Sequence, residues 1–470
     1  MRLITAISTR TFAKYALYSL NLHNYRIYFT ASVFTFREQN LMQTFNTKLL
    51  SPVVMVTVSK QRLRSDLEAN AAFGALDNID EYGRTVLSGS DANQKARDLL
   101  VDKLGAAGMS VHIDTVGNVV GRWVADSADP KAAPVASGSH LDSVPEGGIF
   151  DGPLGVYGAL EAVRAIQDAP HQPSRPIHVV CFTEEEGQRF SNGLLGSSVA
   201  TGRMSATEVL ALTDETGISF QESLERIGYH GTGRVDASKW ETWIELHIEQ
   251  GTRLETAGAS AGIVTDIAGI THCYADITGN ADHAGSTPMN NRQDALTAAS
   301  ELVLAVESAA QQRVSESSPS AVGTVGSLNL SPNATNVIPA DVRLGVDIRD
   351  VCRESIETLV SDLKAEAQRI ASDRSVSVSI ERPYMVPPEP MANRCRSALK
   401  SAADDAKLET LELHSGAAHD TMNISRVTDA GLLFAPSKNG ISHNPREWTD
   451  WDDCAAATTV LAGAIARLSS

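Results

Sequence analysis

A chain of 470 residues with 42% hydrophobic and 21% charged residues is long enough for two cores and ordinary in composition for a folded globular protein. Its formal charge of −17 is repelled by phosphate backbones and anionic lipid surfaces. That argues against nucleic acid or membrane partners and for a small polar substrate.

The charge is uneven along the chain. Residues 1–60 set one acid, Glu38, against seven bases (Arg2, Arg10, Lys14, Arg26, Arg37, Lys48, Lys60), a net of +6, so the other 410 residues carry −23. Such an acid-poor leader is either an organellar transit segment or translation upstream of a start at Met55. The helical pattern that follows through Leu63, Leu67 and Phe73 favours the second, and residues 1–59 are expected to lie outside the fold. No run of 18 uncharged apolar residues offers a membrane span. Cys181, Cys273, Cys352, Cys395 and Cys454 are odd in number, scattered and without C-x-x-C spacing, as in a cytoplasmic enzyme with reduced thiols.

From 60 to 261, short apolar runs alternate with longer helical ones, the pattern of an α/β domain. Val111–Ile113, Pro134–Gly138 and Ile177–Phe182 read as buried strands, and Gly155–Ile166 as a helix with Val156, Leu160, Val163 and Ile166 on its apolar face. From 262 to 380 the pattern becomes α+β. Strands are expected at Ile263–Ile267, Cys273–Thr278, Val322–Leu328, Val342–Asp347 and Val376–Ile380, with helices at Asp294–Ala309 and Arg353–Ser372. The polar stretch Val314–Pro319 is expected to turn the chain back, and the prolines around Arg382–Pro388 mark a return to the first domain, completed by 381–470.

Five clusters carry His, Asp or Glu just past an apolar run. In Gly138–Ser143, residues two apart in extended chain face one side, so Asp142 is placed to accept the spare ring N–H of His140; a satisfied surface pair is the plain alternative. Gly147–Gly155 holds the single carboxylate Asp151 among four glycines, where backbone can approach a ligand. Glu184, Glu185 and Glu186 follow a strand and need cations or protons to coexist, unless they form a solvated acidic turn. The fourth cluster is Glu245–Gly251 and the fifth Ser442–Glu447. Arg349 alternates with apolar neighbours, and its fork could hold a substrate carboxylate or pair with Asp347 or Asp350. His272 and His414 stay undecided, whereas Trp448 and Trp451 read as packing.

In chain order, GSHLDSVPEGGIFDG, TEEEGQRF, ELHIEQG, DHAGSTPM, ATNVIP, VDIRD and NGISHNPRE resemble the di-zinc amidohydrolases of the M20 metallopeptidase group. The branch is that of N-carbamoyl-L-amino-acid hydrolases, β-ureidopropionases and allantoate amidohydrolases, and the resemblance spans about 60–470. It implies a di-metal exopeptidase-like α/β catalytic domain with an inserted α+β lid that also makes a homodimer. It implies His140, Asp151, Glu186, His247 and His443 as ligands of two divalent ions, Asp151 bridging. Zn²⁺ is expected first, and the oxygen and imidazole donors also suit Mn²⁺, Co²⁺ or Ni²⁺.

The resemblance further implies Glu185 as general base and His283 as an oxyanion donor reaching across a dimer interface. Gln250, Asn336, Arg349 and the backbone at Ala418, where the family often has Gly, are the implied substrate contacts. The implied reaction splits the ureido C–N bond of an N-carbamoyl-L-amino acid into amino acid, CO₂ and NH₃. Allantoate and N-carbamoyl-β-alanine are the alternative substrates. Peptide cleavage and metal binding without catalysis are the more distant alternatives.

Overall fold

The computed structural model describes residues 16–22, 25–31, 56–77 and 82–470. Ala16–Leu22 and Tyr25–Ala31 pair antiparallel within a unit of their own; the rest of the expected leader up to Met55 lies outside the described residues. The chain is packed from Val56 onward, four residues earlier than expected. Val56 is buried in the core, and Ser59 caps the helix Lys60–Ala71 while its N–H donates to Glu161.

A nine-stranded mixed sheet forms the larger layer. Reading across it, the strands are Glu389–Pro390, Ala261–Ile267, Ala430–Ala435, Thr242–Ile248, Val135–His140, Ile177–Phe182, Val119–Trp123 and Ser110–Ile113, with Thr410–Ser415 pairing parallel to Ala261–Ile267. The four central strands, Ala430–Ala435 to Ile177–Phe182, run parallel. Each is buried along nearly its whole length, as expected of strands covered on both faces.

Against one face packs Pro153–Asp168, buried nearly all round because glycine and alanine let it approach the sheet. A Cβ on Gly155 would stand 2.3 Å from the Leu246 carbonyl oxygen, so only glycine fits there. The C-terminal helix Trp451–Leu468 lies beside it, where Trp448 and Trp451 pack on Phe150, ring centroids 5.3 and 5.2 Å away.

A second sheet of four antiparallel strands has the order Val322–Ser331, Asp341–Asp350, Gly269–Thr278, Ser377–Val386, with its own apolar core. The helices Ala295–Glu316 and Arg353–Arg374 complete that core. Three details differ from the sequence expectation. Ala261–Ile267, expected to open the smaller unit at residue 262, belongs to the nine-stranded sheet. The first of the two helices continues two turns past Ala309, since Gln311, Gln312 and Arg313 are good helix formers on a solvated face. Ser377–Val386 runs through Arg382 and Pro383 as an edge strand, its pairing shifted between Glu381 and Tyr384 where proline offers no N–H. Among the described residues no helix is long and apolar enough to cross a membrane.

Candidate functional site

The carboxyl ends of the central parallel strands converge, and there an open α/β sheet leaves room for a ligand. His140 ends one strand, Glu184–Glu186 follow the next, and His247 sits near the end of a third. Asp151 arrives from the loop before Pro153–Asp168, and His443 from the turn after Lys438–Gly440. The loop closes tightly at Gly152, φ 82°, where a Cβ would lie 2.5 Å from the His140 ring.

Asp151 is the hub of this cluster. Its Oδ1 lies 3.1 Å from His247 Nε2 and 3.5 Å from His140 Nε2, while its Oδ2 lies 3.4 Å from His443 Nε2. Glu186 Oε2 is 3.6 Å from His443 Nε2 and Glu185 Oε2 is 3.7 Å from His140 Nε2. Two groups of close-set donors result, His140–Asp151–His247 and Asp151–Glu186–His443, sharing the one carboxylate.

The hydrogen bonds behind the rings test whether this set suits a cation. His140 Nδ1 meets the Asp142 carbonyl oxygen at 3.0 Å, and His247 Nδ1 meets that of Ile248 at 3.0 Å. A carbonyl only accepts, so both rings carry the proton on Nδ1 and turn the Nε2 lone pair inward. His140 Nε2 is buried without a hydrogen-bond partner. Converging lone pairs and carboxylates fit a divalent metal, and the absence of thiolate gives them the hardness of Zn²⁺ or Mn²⁺ sites.

Electrostatics says the same. Burial, then repulsion by Asp151, pushes Glu186 up to about 7. Burial also raises Glu185 well above the usual carboxylate range, opposed by His140. Against a burial that disfavours its charge, His247, His140 and His443 hold Asp151 well below that range. A cluster that must otherwise hold extra protons is one in which cations replace them.

Asp142 supports His140 differently from expectation: the main-chain carbonyl makes the contact, and the carboxylate is 4.0 Å away. The carboxylate turns instead to accept the Glu186 N–H at 3.2 Å. Gln250 donates from Nε2 to Asp151 Oδ2 at 2.8 Å and to Ser442 at 3.2 Å. Gln250, Glu184 and His443 are all non-glycine residues at left-handed φ, a concentration of backbone strain at one site.

A cleft of about 540 Å³ opens over these groups and is also lined by Gln250, Arg349, Ala418, His272 and Tyr384. Arg349 takes up its pairing with Asp347, Nε to Oδ1 at 2.9 Å and Nη2 to Oδ2 at 3.1 Å, and its Nη1 donates to the Gly416 carbonyl at 2.8 Å. His272, undecided from sequence, lies in the cleft with Nε2 3.1 Å from Asp347 Oδ2 and its ring stacked on Tyr384. His414 meets Arg253 instead.

His283 and Asn336 are not among the residues lining this cleft. They sit side by side on a short ribbon, Asp282–His283 paired with Val337–Ile338, with His283 exposed. The N–H groups of Gly285 and Ser286 donate to His283 Nδ1 at 3.0 and 3.2 Å, which leaves Nε2–H as an outward donor.

Two supporting carboxylates were not singled out from sequence. Glu447 accepts from the N–H groups of Phe150 and Asp151, both at 3.1 Å, and from Ser442 at 2.9 Å, so it holds the loop that carries Asp151. Burial, then Asp151, pushes it up to about 7. Glu245 also lies close to His247 and His419. Its oxygens are already committed to Ser139 at 2.6 Å and to the N–H and hydroxyl of Thr421 at 3.0 and 2.7 Å. His419 packs edge-on against His247 and meets the Ser415 hydroxyl. That group is scaffolding for the His247 ring.

The fold and these clusters define the class, and residues 136–467 match Peptidase family M20/M25/M40. The chain belongs to that family. It is 35% identical over 405 residues, 85% of this chain and 96% of the relative, to an N-carbamoyl-L-amino-acid amidohydrolase of Paenarthrobacter aurescens. It is also 35% identical to a ureidoglycolate hydrolase of Arabidopsis thaliana, covering 81% of each. Among solved structures, a hydantoinase/carbamoylase family amidase of Burkholderia multivorans superposes with a TM-score of 0.83 at 34% identity, over 88% of this chain and 98% of that one.

Proposed function

We propose that the protein hydrolyses the ureido C–N bond of an N-carbamoyl-L-amino acid, using two divalent cations held by His140, Asp151, Glu186, His247 and His443. The carrying observation is the division of Asp151 between two donor groups, one oxygen facing His140 and His247 and the other facing His443. Zinc is the first expectation for both ions, with manganese, cobalt and nickel suited to the same donors.

When bound, the ions supply the means to activate a water and polarise a resonance-stabilised carbonyl. Glu185 takes the proton of the attacking water and delivers it to the departing nitrogen, a role that suits a carboxyl raised by burial. Arg349, held by Asp347, receives the α-carboxylate, and Gln250 and the backbone at Ala418 line the path to it. His283 and Asn336, exposed on their ribbon, complete the cleft of a second copy in a homodimer, His283 Nε2–H meeting the developing oxyanion. The five cysteines, all unpaired, suit a cytoplasmic setting.

The deciding assay measures ammonia release from N-carbamoyl-L-methionine, N-carbamoyl-β-alanine and allantoate, with and without added Mn²⁺. Turnover of the first above the other two is the expected result. Cleavage of a dipeptide with none of the three turned over overturns the proposal, and preference for allantoate moves the assignment within the family.

A further inference from the structure

Arg203 faces the same cleft from the segment that follows the helix Leu195–Ala200. It differs from Arg349 in what surrounds it. Arg349 is neutralised by a bidentate pair with Asp347, whereas Arg203 donates from Nη1 to the neutral side-chain oxygen of Asn423 at 3.0 Å and pairs with no carboxylate among the described residues.

Asn423 is itself fixed. It is buried, and its amide nitrogen donates to the hydroxyls of Ser197 and Ser198 at 2.9 and 3.1 Å and to the Leu194 carbonyl. The guanidinium is therefore anchored along one edge by a rigid neutral partner, and its remaining N–H groups are left for a ligand. In a protein of charge −17, acids are plentiful enough to neutralise a surface arginine. The cleft that Arg203 lines also presents Ser191, Asn192, Ser198 and Met204, and its acidic members, Asp151, Glu185 and Glu186, are those of the metal cluster.

Three parts of the substrate must be distributed around this cleft. The ureido group belongs at Asp151 and Glu185, and the α-carboxylate at Arg349. The amino-acid side chain is left facing the wall that contains Arg203.

We propose that Arg203 is a specificity-determining residue that binds an anionic group on the substrate's side chain, so that N-carbamoyl dicarboxylic amino acids are preferred over neutral ones. This rests on the carbamoyl-hydrolase reading above and names its substrate class. The bond cleaved is unchanged; a guanidinium fork that lacks an acidic partner receives the second carboxylate.

The test uses the metal-loaded enzyme and an isosteric pair, N-carbamoyl-L-glutamate and N-carbamoyl-L-glutamine, with kcat/KM measured for wild type, Arg203→Gln and Arg203→Glu. A charge-assisted hydrogen bond predicts that wild type favours glutamate by about 10-fold to 100-fold. Arg203→Gln should bring the ratio close to one and Arg203→Glu should invert it. Competitive inhibition by free L-glutamate and L-glutamine gives a binding readout independent of turnover, and the same ratio should appear there.

A wild-type ratio at or below one overturns the proposal. So does a ratio that Arg203→Gln leaves unchanged, or a loss shared equally by both substrates, which would make Arg203 part of the α-carboxylate site or the wall. If neutral carbamoyl amino acids turn over while glutamate has no advantage, only this inference falls. If no carbamoyl amino acid turns over at all, the functional reading falls and takes this one with it.

Discussion

Glu185 and Glu186 are neighbours in the chain that serve opposite ends of the site: Glu185 Oε2 lies 3.7 Å from His140 Nε2, and Glu186 Oε2 lies 3.6 Å from His443 Nε2. The turn after Ile177–Phe182 separates them, with Glu184 Oε1 accepting the N–H groups of Arg189 and Phe190 to hold the loop in shape. Adjacent carboxylates can thus have different duties.

Glu185→Gln should retain metal and lose about 10²–10⁴-fold in kcat, the range for general acid–base work. Glu186→Gln should instead weaken metal occupancy at the His443 side. Metal analysis of each purified variant beside its kcat checks both; depleted metal in Glu185→Gln, or full activity in it, would show the two roles misassigned.

Removing metal should be felt in stability as well as in rate. Dialysis against a chelator leaves Asp151, Glu185 and Glu186 with histidines and protons as their only compensation, so activity should vanish and the melting temperature fall. Both should return with added Zn²⁺ or Mn²⁺, since a ligand bound only by the folded state stabilises it by mass action. A melting temperature indifferent to both chelator and metal argues against tight ions at this cluster.

Gly152 is a cheap place to break the site without touching a ligand. An alanine there would have to hold φ near 82° with its Cβ 2.5 Å from the His140 ring. Strain of this kind costs about 1–3 kcal/mol, and relief would push His140 or the Asp151 loop out of place. Gly152→Ala should therefore lower both thermal stability and metal content, while Gly108→Ala, with open space around its Cβ but a similar φ, should cost stability alone.

Much of this was legible in the sequence. The strand Ile177–Phe182 was expected and found with the same ends, and of the residues the motifs marked, His140, Asp151, Glu186, His247 and His443 lie together while His283 and Asn336 lie outside the cleft lining. Short motifs carry such information because ligands cluster at the turn where a strand stops. What stayed hidden acts through distant backbone. Glu447 supports Asp151 from 296 residues away through an N–H bond, and no local pattern records that. Asp142 shows the complementary error: spacing placed it beside His140, but its carbonyl rather than its carboxylate makes the contact. Ala261–Ile267 looks like any apolar strand, and only its pairing with Ala430–Ala435 assigns it to the larger sheet.

Arg349→Lys keeps the charge but loses the fork that Asp347 holds bidentately. It should raise KM several-fold or more with metal content unchanged, because the α-carboxylate is bound in both ground and transition states. Asp347→Asn should produce a milder change in the same direction, through a guanidinium left less firmly oriented. An Arg349→Lys enzyme with wild-type KM would remove Arg349 from the substrate site.

The last expectation concerns His283, whose ring is exposed and lies outside its own chain's cleft lining. Its Nδ1 is already occupied by two backbone N–H groups, so Nε2–H is the donor on offer. His283→Ala should chiefly lower kcat, an oxyanion donor acting mainly in the transition state, by roughly 10²–10³-fold. If that donor serves the partner's cleft, His283→Ala and Glu185→Gln protomers, each inactive alone, should complement when mixed. A heterodimer then contains one site with an intact Glu185 from one chain and an intact His283 from the other. Random exchange makes half the dimers mixed, with one good site in two, so recovery should approach about a quarter of wild-type activity. Subunit exchange must be verified with differently tagged chains. No recovery after verified exchange would place His283 in its own chain's site or outside the reaction, and would leave the ribbon Asp282–His283 without a part in catalysis across the interface.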